Sequence, residues 1–469
     1  MPFAQHPRPE TLSTLADAKP MPFWLDDPDR PEAAAALTSN ITADLTIVGA
    51  GFTGLWTALL AKESDPARDI VLIEATECAI GATGRNGGFV AASLTHGFEN
   101  GLSRWPNELA QLIKLGRENL DAIEATVTRL GIDCDFVRSG ELLVATEPYQ
   151  VNALRERIDL MAQYGEHVEW IDRDQLKTVI DSPIYLGALR DRSGVAMINP
   201  ARLAWGLRQA CLDLGVRVFD RTKVIGLTEE SDRVTVKTEY GSVRSNRVAL
   251  ATNAYPPLLK RLSYYVVPVY DYVLMTEPLS EEQRRSIGWQ GREGISDSGN
   301  QFHYYRTTID GRILWGGYDA VYYQHNGFGS HLETNAESFG RLAEHFFATF
   351  PQLEGVRFSH VWGGAIDTCS RFSAFWGTTH HGRTAYALGY TGLGVGASRF
   401  GAQVMLDGRS TDRTKLEMVR SKPTPFPPEP LRSIGINWTR RALDQADRNE
   451  GRRNWWLRLL DRLGLGFDS

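Results

Sequence analysis

The sequence predicts an α/β fold, α+β overall: a discontinuous Rossmann-type domain joined to a second domain built on a mixed sheet. Three observations predict it. Residues 44–74 read as strand, glycine turn, helix and strand. Residues 386–406 repeat the strand–glycine–helix order. Between them, residues 261–358 are β-rich, with aromatic side chains in alternation. The chain thus leaves its first domain and comes back to it.

The first unit carries the most specific signal. Leu45 to Val48 is a short apolar, β-branched run, as a buried parallel strand requires. Gly49-Ala50-Gly51-Phe52-Thr53-Gly54 follows at once. Gly49 permits the tight turn, Gly51 lets backbone approach a pyrophosphate, and Gly54 allows close helix–strand packing. The next helix carries Leu55, Leu59 and Leu60 on one face and aims its N-terminal N–H groups and dipole at the diphosphate. Ile70 to Ile73 forms a second strand, ending in Glu74, whose carboxylate can accept from ribose hydroxyls. Phe52, Thr53 and Ala75, within or beside these turns, join the candidate contacts. Strand, glycines, helix, strand and acid together identify a dinucleotide site, which a lone GxGxxG would not. They do not choose between NAD and FAD. Glu74 is followed by Ala75 and Thr76 rather than by Arg, which disfavours a 2′-phosphate and hence NADP.

The 469 residues are ample for two or three domains. A net charge of −6 gives no reason to expect a nucleic acid or an anionic membrane as partner. The four cysteines, Cys78, Cys134, Cys211 and Cys369, are scattered without CxxC spacing. That argues against a metal site or disulfide framework and fits a reducing, cytoplasmic setting. No apolar run reaches the roughly 18–20 residues of a membrane span. The N-terminus shows no basic region followed by an apolar one, so no secretory signal is expected.

Along the chain, the proline-rich residues 1–43 read as an arm packing on the first domain through Phe23, Trp24 and Leu25. Gly81-Ala82-Thr83-Gly84-Arg85-Asn86-Gly87-Gly88 is a loop whose backbone must pass close to something, with Thr83, Arg85 and Asn86 as donors. Residues 106–130 and 147–180 have helical character, with a strand at 140–145 between them. Asn199-Pro200 starts a helix. Val224 and Ile225, Val234 to Val236 and Val243 suggest a small antiparallel set. Residues 247–254 form a buried strand whose polar end, Thr252 and Asn253, lies where an α/β sheet binds its ligand. Asp310-Gly311 signals a hairpin between 302–306 and 313–318. Gly389 to Gly396 form the second glycine turn, followed by a helix from Ala397. The tail combines prolines from Pro423 to Pro430 with an amphipathic helix in which Trp455, Trp456, Leu459, Leu460 and Leu463 alternate with arginines. This helix is expected to pack on the body or on a second subunit of a homo-oligomer, ahead of a membrane surface.

Together these motifs resemble the FAD-dependent amine and amino-acid oxidoreductases of the D-amino-acid oxidase superfamily, and within it the γ-glutamylputrescine oxidase-like branch. The likeness runs from Phe23-Trp24 to about Gly408. It rests on the 49–54 turn with Glu74, on 81–88, on the 304–319 hairpin and on 389–396. The second and fourth of these are specific to the superfamily's flavin site, which decides FAD over NAD. The resemblance implies a glutathione-reductase-type FAD domain made of 44–100, 181–260 and 359–420. It implies a substrate domain of 101–180 and 261–358, between an arm (1–43) and a tail (421–469). It further implies hydride transfer from the carbon beside nitrogen to flavin N5. The resulting imine would hydrolyse, and O₂ or another acceptor would reoxidise the flavin. Expected cofactor contacts are Gly49, Gly51, Phe52, Thr53, Gly54, Glu74, Ala75, Thr83, Gly84, Arg85, Asn86, Gly87, Gly88, Val224, Thr252, Asn253, Gly389, Tyr390, Gly392, Gly394, Val395 and Gly396. Tyr304, Trp315, His303 and Arg306 are the expected catalytic residues. Tyr270, Tyr272, Tyr304, Trp315, Tyr318 and Trp362 would build an aromatic wall, and Arg306 or Arg371 would hold an anion.

Two features depart from the pattern. Sarcosine-oxidase relatives place an O₂-activating lysine where this chain has Trp315, so a dehydrogenase with another acceptor stays open. They also hold the flavin through a cysteine; Cys369 lies near that segment but not in clear register with it, so non-covalent FAD is expected, with a thioether through Cys369 the alternative. The remaining alternatives are an NAD-linked dehydrogenase and a flavin-binding protein without turnover.

Overall fold

In the computed structural model, which describes Phe3, residues 6–408 and residues 411–466, two large sheets carry the site. The strands that matter are, in chain order, β1 (Asn40–Val48), β2 (Ile70–Ile73), β3 (Glu141–Ala145), β4 (Ser242–Leu250) and β5 (Val267–Thr276). They continue as β6 (Gly294–Asp297), β7 (His303–Thr307), β8 (Ile313–Gly317), β9 (Phe358–Thr368) and β10 (Thr384–Leu388). The helices are α1 (Phe52–Ser64), α2 (Leu109–Leu130), α3 (Ala336–Thr349), α4 (Gly394–Asp407), α5 (Leu431–Arg448) and α6 (Trp455–Arg462).

The first sheet runs Phe375–Thr379, β10, β4, β1, β2, Arg217–Phe219, with two further antiparallel strands beyond β4. β1 pairs in parallel with β2 and β4, and β4 in parallel with β10. Every residue of β2 is buried, which is why it reads as an unbroken apolar run. Helices α1 and α4 pack on each other. Both begin at the carboxyl edge of the parallel strands, where their unpaired N–H groups converge.

The second sheet runs Val321–Tyr322, β5, β8, β7, β6, β3, Gly187–Asp191, Val168–Asp172, with β9 also paired to β5. It is mixed: β3 and β6 are parallel, and the other pairs are antiparallel. Gly311, at φ +80°, turns the β7–β8 hairpin. An aromatic core fills one face, where Trp315, Tyr305, Phe346 and Phe350 pack between the sheet and α3.

The structure redraws several boundaries. Strand β9 pairs with β5 from Thr368 back to Phe358, so it belongs to the substrate sheet and not to the FAD domain expected from 359. Gly187–Asp191, expected in the FAD domain, also joins the second sheet. The helix expected over 147–180 ends at Ala162, and Val168–Asp172 is an edge strand. Val243 and residues 247–250 are one strand, β4, because the antiparallel set and the parallel sheet share it. The arm packs on both domains. Trp24 Nε1 donates to the Asn86 carbonyl at 2.9 Å, while Arg8 pairs with Glu344 of α3 at 2.9 Å. Of the tail, residues 467–469 lie outside the described residues.

Candidate functional site

A cavity of about 1200 Å³ runs from the carboxyl edge of the first sheet, across one face of the second, to the tail. Its first part is built from backbone. Gly49 sits at φ +107°, and a Cβ there would meet the Ala251 carbonyl oxygen at 2.4 Å. At Gly54 a Cβ would lie 1.8 Å from the Gly49 oxygen, so α1 can approach β1 only with glycine there. Glu74, immediately after β2, lies on the cavity wall. Its carboxylate accepts from the backbone N–H groups of Ala50 at 2.9 Å and Thr76 at 3.0 Å, and burial raises its pKa. A carboxylate has about four acceptor positions, so capacity remains toward the cavity. Thr222 donates its N–H to the Glu74 carbonyl at 2.8 Å, which brings Val224 to the same wall. Thr53 Oγ1 donates to Tyr390 Oη at 3.1 Å, tying the first glycine turn to the last. Asp367 accepts the Gly389 N–H at 2.6 Å and so fixes the turn ahead of α4; desolvation raises its pKa to about 7.

Most expected contacts reach the wall: Gly49, Gly51, Phe52, Thr53, Glu74, Ala75, Thr83, Arg85, Asn86, Gly87, Val224, Thr252, Asn253, Tyr390, Gly392, Gly394 and Val395. Gly54, Gly84, Gly88, Gly389 and Gly396 do not. They are packing glycines, at which a Cβ would strike a neighbouring strand, loop or side chain. The donors of the 81–88 loop are also spent differently from the expectation. Thr83 Oγ1 accepts the Phe52 N–H at 3.0 Å. Asn86 Nδ2 donates to the Ala82 and Thr83 carbonyls. Arg85 donates to the Ile80 and Gly363 carbonyls and pairs with Glu333 at 3.0 Å. These side chains shape the loop, and backbone faces the cavity.

The second part of the cavity is built from side chains on one sheet face. Successive residues of a strand point to opposite faces. Val267, Val269, Asp271 and Val273 of β5 line the cavity, so Tyr270 and Tyr272 point into the aromatic core. Across the strands the cavity face carries Glu141 of β3, Ser296 of β6, Tyr304 of β7 and Asp271 of β5. Ser296 Oγ donates to Glu141 at 2.7 Å, and Tyr304 Oη donates to Asp271 at 2.6 Å. Glycines give Tyr304 its place, since a Cβ at Gly87 would meet its ring at 2.8 Å and one at Gly316 would meet it at 2.7 Å. Tyr304 therefore lies where the 81–88 loop meets the second sheet. Desolvation raises Asp271 to about 6 and Glu141 to about 7. The Tyr304 bond acts in the opposite direction on Asp271.

Three expected catalytic residues are placed elsewhere. Trp315 is fully buried in the aromatic core, with ring centroids 4.4 Å from Tyr305 and 4.8 Å from His303. His303, also fully buried, lies 2.6 Å from Asp297 and 2.9 Å from His345, on the core face of β7. Arg306 donates to the Ile198 carbonyl at 2.6 Å and stacks over Trp24, bracing the end of the 81–88 loop. Arg371, the other anion candidate, is spent on the Ser373, Ala374 and Ser421 carbonyls, between Trp105 and Trp376. Trp362 donates to the Arg85 carbonyl at 2.8 Å and is core. Cys369 is fully buried, its thiol directed to the Ser373 and Gly389 carbonyls. Sequence reasoning missed Asp271 and Glu141. The available signal was a carboxylate within an otherwise apolar and aromatic strand, VPVYDYVLMT.

Comparisons with known proteins agree with this geometry. The family model described as FAD dependent oxidoreductase matches residues 44–407, a stretch that ends before the tail. The chain is 31% identical to the gamma-glutamylputrescine oxidoreductase of Escherichia coli K12, covering 83% of this chain and 89% of that protein. It is 27% identical to the probable oxidoreductase OrdL of Haemophilus influenzae, covering 86% and 91%. Glycine oxidase from Geobacillus kaustophilus superposes with a TM-score of 0.68 at 19% identity, over 81% of this chain and all of that one (100%). L-proline dehydrogenase from P. horikoshii superposes with a TM-score of 0.65 at 17% identity, over 80% and 96%. The residues present fit FAD. Two helix N-termini and two glycine turns open on one cavity, with the acid at the end of β2 placed for a ribose.

Proposed function

The chain belongs to the FAD-dependent oxidoreductase family and oxidises the C–N bond of its substrate, and we propose that this substrate is an amine without an α-carboxylate. The observation that carries this is the Glu141–Ser296 and Tyr304–Asp271 stripe on the substrate wall. It offers two carboxylates to a cationic substrate. The arginines expected to hold a carboxylate, Arg306 and Arg371, donate to backbone carbonyls and stand off the cavity wall. FAD, when bound, supplies the two-electron acceptor. Gly49, Gly51 and Gly87 would let it approach the backbone, Glu74 would take the ribose, and the α1 and α4 N-termini would face its anionic parts. Cys369 is turned into the core, which favours FAD being held there without a covalent bond.

Asp271 receives the substrate ammonium, and its carboxylate form takes the proton that must leave before the neighbouring C–H bond can give up hydride. Tyr304 orients that carboxylate. Loss of one proton and one hydride from the ammonium leaves a protonated imine, which water converts to a carbonyl compound and an ammonium ion. Electrons leave to O₂ or another acceptor, and the four buried, unpaired cysteines suit a cytoplasmic setting.

The test is the visible spectrum of the purified protein, followed by anaerobic addition of matched pairs of alkyl amines and α-amino acids. The amine is expected to bleach the flavin and its amino-acid counterpart to leave it coloured. Faster bleaching by the amino acid overturns the substrate class, and a protein that is colourless even after incubation with FAD overturns the cofactor. Admitting air then separates O₂ from another acceptor.

A further inference from the structure

The tail presents an apolar stripe to solvent. Leu431, Ile434 and Trp438 of α5 are 61%, 56% and 44% exposed; Trp455 and Leu459 of α6 and the following Leu463 are 62%, 40% and 61%. The spacing of three and four puts each set on one helix face. Trp438 joins the sets, with ring centroids 5.5 Å from Trp455 and 4.8 Å from a stacked Trp456. The stripe is not needed to hold the tail in place. Ala442, Ala446 and Leu457 pack the two helices together. Asp447 accepts the Asn300 and Gln301 N–H groups at 3.0 and 2.9 Å, and Glu429 accepts from Tyr322 Oη at 2.6 Å.

Charge identifies what covers this face. Residues 431–462 hold eight arginines against four carboxylates, in a chain whose net charge is −6. Arg452 and Arg453 are paired with Glu450 and Asp461, while Arg441, Arg458 and Arg462 are exposed and make no ion pair among the described residues. Exposed Trp and Leu rimmed by Arg is the composition of a helix lying in a lipid headgroup layer. A second copy on the same face would set these arginines against their own kind. No helix among the described residues is long and apolar enough to cross a membrane, so attachment is interfacial. Leu443, Trp456, Leu460 and Leu463 also line the cavity, so docking would bring the tail end of the cavity to the lipid boundary. We propose that α5 and α6 form a docking surface for an anionic lipid bilayer.

The experiment is sedimentation of the FAD-loaded full chain with phosphatidylcholine vesicles, with and without phosphatidylglycerol. The protein is expected to sediment with the anionic vesicles and to be released as salt is raised. The triple variant Ile434→Ser, Trp455→Ser, Leu459→Ser should bind at least about tenfold more weakly while keeping its flavin spectrum, which reports that it is folded. The proposal is overturned if the wild type stays in the supernatant, if it binds neutral vesicles equally well, or if the variant binds as the wild type does. A dimer that these substitutions dissolve, without vesicle binding, would assign the face to a second copy and likewise overturn it.

Discussion

The cofactor edge of the first sheet and the cavity face of the second meet in one cavity, yet they are built from different materials. The edge is backbone: glycines such as Gly49 and Gly54, at which no Cβ fits, and the open ends of α1 and α4. The face is side chain: Glu141, Ser296, Tyr304 and Asp271, each aimed by strand alternation. A backbone site tolerates almost no change at its glycines, because the fault is steric and local. A side-chain site tolerates isosteric change structurally and loses only its chemistry. The two halves should therefore fail in different ways.

The largest effect is expected at the edge. Gly54→Ala puts a Cβ 1.8 Å from the Gly49 oxygen, which the structure can relieve only by moving α1 off β1. That should cost roughly 3 kcal/mol or more of stability and abolish stoichiometric flavin binding. Flavin content after purification and the thermal midpoint check it. A fully loaded Gly54→Ala protein would show that the edge is less rigid than its backbone construction implies.

On the face, Asp271→Asn keeps shape and removes the proposed proton acceptor. Flavin content should stay unchanged while kcat/KM falls by about 10²–10⁴-fold. In the wild type, kcat/KM should rise with pH through about 6 as Asp271 ionises, and the variant should lack that limb. Stability moves the other way. The unfolded carboxyl ionises near pH 4, whereas the buried one keeps its proton to about 6. Between these values the native state holds the extra proton, so stability falls as pH rises and levels off beyond. Asp271→Asn should flatten that slope. Tyr304→Phe should be milder, about tenfold in kcat/KM for one charge-assisted hydrogen bond. Because the Tyr304 bond lowers the Asp271 pKa, its loss should move the acid limb to higher pH. A limb that stays in place would mean that another group sets it.

The same contrast decides what could be read from the sequence. The edge was legible because Gly49, Gly51, Gly54 and Glu74 must stand at fixed spacing on a strand–helix–strand frame, and adjacent residues carry the whole signal. The face was not. Glu141, Ser296, Tyr304 and Asp271 come from four strands whose order and register arise only in three dimensions. The aromatic alternation of β5 was visible, but not which of its two faces would be wet. That single choice placed Tyr270, Tyr272 and Trp315 on the wrong side and left Asp271 unnoticed. Strand β9 was assigned to the wrong sheet for a related reason, since its partner β5 lies about 90 residues earlier in the chain.

Trp315→Phe tests that choice of face with the smallest expected effect on turnover. Trp315 is fully buried among Tyr305, His303, Phe346 and Phe350, and it is not on the cavity wall. Phenylalanine keeps an aromatic ring but leaves part of the indole volume empty, which should cost about 1–3 kcal/mol of stability. The active site is reached only through the sheet, so kcat/KM should stay within about twofold and the acid limb should remain near pH 6. Urea unfolding and a pH–rate profile on the same preparation separate the two quantities. A large fall in kcat/KM at unchanged stability would put Trp315 back among the groups that meet the substrate. It would also mean that β8 presents its other face to the cavity, which the pairing of Tyr305 with Trp315 across β7 and β8 forbids unless both strands turn over together.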